Sequence, residues 1–270
     1  MPFDEFGRYA AACNADPSQH IGYVGVESDE VAADFEELEG DYVFAAARVG
    51  AQLCGLLCAE WDPAIGRTWL HGPWAGTPEL MDQLYDAVRP VVPAEAAEHE
   101  LFCDAANSAV IAFAQRHGFS RGGEHVILRF SRERLGDLAP VTLPPLTPDL
   151  FGQFAALHDR TFPDTDAPSA VLLGRKPPIF AEVDGDTLLG YVALKLRPEF
   201  ADAQIEFIAV AESARGQGVG ARLATAALHE AFTDHRYRVM DIGTSNPVAQ
   251  RLYEKVGFVL RRSMRSFRTT

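Results

Sequence analysis

The sequence predicts two mixed α/β domains in tandem, each with a central sheet and flanking helices. Three observations lead there. An apolar hairpin of the pattern strand, Gly, four residues, Gly, strand occurs twice, over residues 43–58 and 179–194, with Gly50 and Gly55 answering Gly185 and Gly190. A unit running from Asn to Gly-Phe then recurs as Asn107…Gly118-Phe119 and Asn246…Gly257-Phe258. The glycines are offset by 135 residues and the second pair by 139, so the same units follow in the same order with a small drift. Between the copies, residues 138–148 hold four prolines in eleven positions, the composition of an extended linker. The expected domains are therefore 1–139 and 140–270.

In the first half, Thr77 suits a helix cap and Pro78 the first helical position, so residues 76–81 open a helix. Asn107 caps a second helix, Gly118 takes the left-handed position after it, and Phe119 closes the cap. In the second half, His158, Asp159, Phe162, Asp164, Thr165 and Asp166 lie on or after the first helix; a solvated loop position is the favoured reading for any one of them, the other being the lining of a substrate pocket. Asp184-Gly185 forms a hairpin turn. Residues 204–210 read as a strand, and Leu223, Ala224, Ala227, Leu228, Ala231 and Phe232 recur at helical spacing. Between strand and helix stands Arg215-Gly-Gln-Gly-Val-Gly220. Three glycines let backbone N–H groups turn toward a ligand, and a helix start adds unpaired donors, so an anion such as a pyrophosphate fits there. The spacing is neither that of a dinucleotide-binding fingerprint nor of a Walker loop, and alone it serves a plain strand–helix turn equally well. Asn246 caps the last helix, with Pro247 at its first position. Tyr253 sits among apolar Ala249, Leu252 and Val256, where an amphipathic core residue would also sit.

Bulk properties exclude several classes. The net charge is −14, and residues 1–140 account for all of it, with 9 Arg against 23 Asp+Glu. Such a half repels nucleic acid. No apolar run approaches the ~20 residues of a membrane helix. The start, Met1-Pro2-Phe3-Asp4-Glu5, lacks the basic flank and apolar core of a signal peptide. Cys13, Cys54, Cys58 and Cys103 lack zinc-ligand spacing and read as reduced thiols, so no metal and a cytoplasmic location are expected.

Taken together, the loop, the Asn246–Phe258 unit and the 179–194 hairpin resemble the GNAT acetyltransferase superfamily. Arg215, Gly218 and Gly220 match its Arg/Gln-x-x-Gly-x-Gly/Ala pattern. Asn246, Ala249, Leu252, Tyr253, Gly257 and Phe258 match its Asn-x-x-Ala-x-x-Leu-Tyr-x-x-x-Gly-Phe pattern. The resemblance covers most of residues 147–268 and implies two GNAT-like domains, each with a mixed, mostly antiparallel sheet. It implies an N-acetyltransferase moving an acyl group from acetyl-CoA directly to an amine of a small molecule or peptide. The alternative is a non-catalytic acyl-CoA sensor or interaction protein on the same scaffold. The backbone of Ile208, Ala209 and Val210 would hold the pantetheine arm. The amides of Arg215, Gly216, Gln217, Gly218, Val219, Gly220 and Ala221 would cradle the pyrophosphate, with the Arg215 side chain shaping the loop. Asn246 would both cap its helix and touch the CoA arm. Tyr253 would protonate the leaving thiolate. Many members carry a glutamate where this chain has Gln204, which cannot act as a base, so the expected base is Glu206, with relay through water as the other route.

The first half keeps the caps and loses the chemistry. At offset 139 the glycine loop falls on residues 76–81, where Pro78 removes a donor and Glu79 repels an anion, and Tyr253 falls on Ala114. This resembles the degenerate repeat of tandem GNAT proteins. The charge split suggests a cationic acceptor met partly by the acidic half, above all by residues 27–41. A solvated acidic helix explains the same residues equally well.

Overall fold

The computed structural model describes residues 3–38, 41–163, 165 and 167–269. Glu39, Asp164 and Asp166 lie outside the described residues. The chain divides into two units, Met1–His125 with Arg262–Thr270, and Val126–Arg261.

In the first unit, helices α1 (Phe3–Asn14) and α2 (Ser28–Glu36) precede β1 (Asp41–Val49), β2 (Gln52–Asp62) and β3 (Arg67–Ala75). Helix α3 (Pro78–Val88), β4 (Glu98–Asp104) and α4 (Ser108–Arg116) follow. The strands pair in the order β1-β2-β3-β4, antiparallel except for β3 with β4. The fifth partner, beside β4, comes from the far end of the chain, where Met264–Arg268 pairs antiparallel with residues 104–100.

The second unit begins inside β5 (Ser120–Ser131). It adds α5 (Phe151–Thr161), α6 (Ser169–Arg175), β6 (Ile179–Asp184), β7 (Thr187–Arg197), β8 (Asp202–Val210), α7 (Val219–Ala231), β9 (Val239–Thr244), α8 (Pro247–Val256) and the start of β10 (Val259–Arg268). Its sheet order is β5-β9-β8-β7-β6. One face packs on α7 and α8 through Val192, Leu194, Ile205, Leu223 and Leu228. The other packs on α5 and α6 through Phe154, Leu157, Leu172, Tyr191 and Ala209.

The repeated residues do repeated work. Gly190 lies so close to its neighbours that a Cβ there would stand 2.7 Å from the Ala209 carbonyl oxygen and 2.9 Å from Leu223 Cδ1. Gly55 faces Leu80 and Leu84 of α3 in the same way, at 3.2 Å. Asn246 Oδ1 accepts from Val248 N at 2.8 Å and Asn107 Oδ1 from Val110 N at 3.1 Å.

The expected boundary at 139/140 is corrected. The strand after each Gly-Phe pairs in the other half's sheet: residues 126–131 lie beside β9, and 264–268 beside β4. The proline-rich stretch is not free of the fold either. Ala181 N donates to Pro144 O at 2.9 Å and Leu146 N to Ile179 O at 2.8 Å, so it lines the β6 edge. Alternation along a strand states which residues face a core but not which sheet the strand joins. With these boundaries the first unit carries 9 Arg against 21 Asp+Glu, or −12, and the second 15 Lys+Arg against 17 Asp+Glu, or −2.

Candidate active site

Strand β8 carries the site. It pairs with β7 along its whole length, but with β9 only at Gln204↔Asp241 and Ile205↔Ile242. Beyond Ile205 the two strands part. Ile208, Ala209 and Val210 thus lie on an edge that has no strand partner on the β9 side among the described residues. Glu206 stands where the strands part. The β7 register passes from Ile205↔Leu194 to Phe207↔Ala193, which leaves Glu206 as the extra residue of a β-bulge. The bulge switches faces, so that Ile205 and Ile208 both pack toward α7, and Phe207 and Ala209 toward α5.

The chain then turns through Glu212–Ala214 into the glycine loop. Gly218 has φ 79° in the left-handed region and caps α7. Its carbonyl accepts from Ala221 N and Arg222 N, both at 3.1 Å. Arg215 N donates to Glu212 O at 3.3 Å. The expected cradle from Arg215 to Ala221 therefore contracts to five N–H groups, those of Gly216, Gln217, Gly218, Val219 and Gly220. None of the five has an acceptor among the described residues. These five donors stand at the positive end of a 13-residue helix, the arrangement an anion would need.

The Arg215 side chain is exposed and makes no hydrogen bond or ion pair among the described residues, so it does not brace the loop. Arg222 does. Its Nη1 donates to Gln217 O at 2.9 Å and its Nε to the Glu182 carboxylate at 3.0 Å. The sequence reading missed both residues. A signal was present, because a long side chain in the first turn of a helix points back toward the helix start.

Asn246 is exposed and caps α8 as expected. Tyr253 lies on the buried side of α8 at 5% exposure, and burial pushes its phenol well above the ordinary value. Helix α7 meets α8 beside it, since a Cβ on Gly220 would stand 2.9 Å from Leu252 Cδ1. Glu206 is partly exposed and lies 3.9 Å from Arg175. Gln204 donates from Nε2 to Asp202 Oδ2 at 3.0 Å, and burial raises the Asp202 carboxyl. His158 is not a solvated loop residue. It is fully buried, its Nε2 donating to Ala167 O at 2.9 Å and its Nδ1 accepting from the Tyr191 hydroxyl. Asp159 accepts from Ser169 N and Oγ, both at 2.8 Å, and so ties the end of α5 to the start of α6. Among the described residues no cluster could hold a metal ion.

The first unit has the same parting of strands, between β3 and β4 beyond Trp69↔Glu100, but its own chain fills it. Ile21 bridges Cys103, Gly22 N donates to Phe102 O at 2.6 Å, and Asp104 N to His20 O at 3.0 Å. Asn14, fully buried, locks this segment. Its Nδ2 donates to Ile21 O at 3.0 Å and Val24 O at 2.6 Å, and its Oδ1 accepts from Ile21 N at 2.6 Å. Thr77 Oγ1 accepts from Leu80 N at 3.3 Å where the second unit has open amides, and Ala114 is buried at the place of Tyr253.

Residues 146–258 match the family model described as the acetyltransferase (GNAT) family. No curated protein sequence matches the chain. Among solved structures, a GCN5-related N-acetyltransferase from Sphaerobacter thermophilus superposes with a TM-score of 0.68 at 15% identity, over 98% of this chain and 91% of that one. A tandem GNAT protein from the clavulanic acid biosynthesis pathway, solved without acetyl-CoA, gives 0.68 at 13% identity over 99% and 94%. A GNAT-family acetyltransferase from Colwellia psychrerythraea gives 0.62 at 17% identity over 100% and 98%. At these identities the likeness is one of fold. No helix among the described residues is long and apolar enough to cross a membrane.

Proposed function

We propose, residues 146–258 being a domain of the GNAT acetyltransferase family, that the second unit transfers an acetyl group from acetyl-CoA directly to an amine of a small molecule or peptide. The observation that carries this reading is the open edge of β8 leading into five unpaired amides. An extended pantetheine arm can bond that edge as an added strand, through Ile208, Ala209 and Val210. Its pyrophosphate can then take the N–H groups of residues 216–220.

Only a neutral amine attacks a thioester, so a proton must first leave the ammonium. In this reading Glu206, partly exposed at the bulge and 3.9 Å from Arg175, takes it. Gln204 is committed to Asp202 and has no basic atom. The C–N bond forms, the C–S bond breaks, and the thiolate needs a proton. Tyr253 supplies it. Burial keeps the phenol in its protonated form, the form that can donate. No covalent enzyme intermediate is required.

The acceptor carries positive charge in this reading, drawn by a chain whose net charge is −14, most of it on the first unit. The first unit binds no CoA, because residues 20–24 fill its slot. The test is release of free thiol from acetyl-CoA against a panel of amines, with Tyr253→Phe in parallel. A chain that binds acetyl-CoA but releases no thiol with any amine, in wild type as in variant, would be a sensor and not an enzyme.

A further inference from the structure

A cavity of about 350 Å³ opens in the first unit, lined by Tyr85, Arg89, Val92, Pro93, His99 and His117. It lies at the C-terminal end of α3 and the start of β4, and the transferase reading gives it no task. Its polar groups are unusually well fixed. His99 is 94% buried, and Thr269 holds its backbone on both sides, donating from N to His99 O at 3.0 Å and accepting from His99 N at 2.8 Å. The Tyr85 hydroxyl stands 2.9 Å from His99 Nδ1 and has no other acceptor among the described residues. Where it donates to Nδ1, the imidazole proton sits on Nε2. That Nε2–H has no partner among the described residues. His99 lines the cavity, so in that tautomer its Nε2–H is the donor the side chain has left for a ligand. Burial and the nearby Arg89 guanidinium hold His99 below the ordinary histidine range, so the ring stays neutral and keeps this single proton.

Arg89 supplies the charge. Its guanidinium lies 5.9 Å over the Tyr85 ring and only 3.8 Å from Asp86, with both side chains 62% exposed, so that pair is loose. The carbonyls of Tyr85 and Val88 at the end of α3 are already bonded, by Arg89 N and Val91 N at 2.9 Å each, and so do not face a ligand as open acceptors. His117 is turned to Asp82, which its Nε2 meets at 2.9 Å. The site thus offers one guanidinium and one fixed N–H beside apolar walls. That set matches a monoanion with a flat, two-oxygen head. A phosphate dianion would ask for more donors and more positive charge than one loosely paired arginine provides.

We propose that this cavity binds a small organic carboxylate, its head between Arg89 and His99 Nε2 and its apolar body against Tyr85, Val92 and Pro93. A volume of this size suits a ligand of metabolite dimensions. The probe is benzoate, titrated into the full chain by calorimetry, while imidazole ¹⁵N NMR follows the histidines. Saturable binding with Kd on the order of 1 mM is expected, with a shift of the His99 Nε2 resonance. Arg89→Gln changes only an exposed side chain and should weaken binding by about tenfold or more without altering the melting temperature. His99→Gln should weaken it as well. Three results would each overturn the assignment: no saturation by about 20 mM; binding that Arg89→Gln leaves unchanged or that moves no His99 signal; or inorganic phosphate binding at His99 more tightly than benzoate.

Discussion

Gly218 offers the sharpest test of the anion site, because strain and charge can be separated at one position. Its φ of 79° is left-handed, which costs a non-glycine residue about 1–2 kcal/mol. A Cβ there would meet only Arg222 Nη1, at 3.0 Å, the end of a flexible side chain that can move aside. Gly218→Ala therefore adds strain and a small shift of the Arg222 brace on Gln217 O, both of which the glutamate variant shares. It should lower the melting temperature by about 3–6 °C and leave acetyl-CoA affinity within about threefold. Gly218→Glu adds the same strain and a carboxylate. At about 5 Å from a pyrophosphate charge, with an effective dielectric of about 20, repulsion is about 3 kcal/mol, or roughly 10²-fold in Kd. Calorimetry of both folded variants against acetyl-CoA reads the difference directly. Equal affinities for the alanine and glutamate variants would mean that no phosphate lies near Gly218, and the assignment of the loop would fall.

Tyr253→Phe should reduce kcat about 10²–10⁴-fold while barely changing acetyl-CoA affinity; an unchanged kcat with chemistry rate-limiting would leave the residue a packing role only. Acetyl-CoA should titrate at one per chain, since Asn14 and residues 20–24 close the first unit's slot, and a stoichiometry of two would contradict that closure. His99 and His125 are held below the ordinary value of 6.5, chiefly by burial, so just below pH 6.5 the unfolded chain binds more protons than the folded one. Stability of the first unit should be full above that pH and fall as the pH drops; denaturant midpoints that stay level from pH 7 to 5 would refute the sign. If long-range charge steers a cationic amine, kcat/KM should decline as salt shortens the Debye length from ~10 Å at 0.1 M to ~3 Å at 1 M, and neutralising Glu36 and Glu37 should lower it. A flat salt response would make the acidic surface a matter of solubility.

Much of this was legible in the residues, for definable reasons. Caps, hairpin glycines and the Arg215–Gly220 loop are local devices, and local devices leave local marks: Asn246, Pro247, Gly257 and Gly190 each sit where their chemistry allows few substitutes. The bulge at Glu206 and the parting of β8 from β9 depend on pairing across the sheet, which a single strand does not encode. Arg222 was missed because its acceptors, Gln217 O and Glu182, come together only in the fold. Asn14 is harder still. An isolated asparagine closing an apolar helix looks like a cap residue, and only three-dimensional placement reveals that it holds residues 21–24 in place.

The exchange of the last strands has a thermodynamic consequence. Val126–Arg261 is continuous in the chain, whereas the first unit is interrupted by it and resumes only at Arg262. The second unit therefore acts as a 136-residue insertion closing a loop in the first. When that insertion is unfolded, bringing residues 264–268 back beside β4 costs loop-closure entropy of about 4 kcal/mol. When it is folded, much of that cost has already been met, and the first unit inherits a tether. A lesion confined to the second unit should thus loosen the first without touching it. A fragment cut at residue 139 would leave β4 with an open edge prone to pairing with other chains.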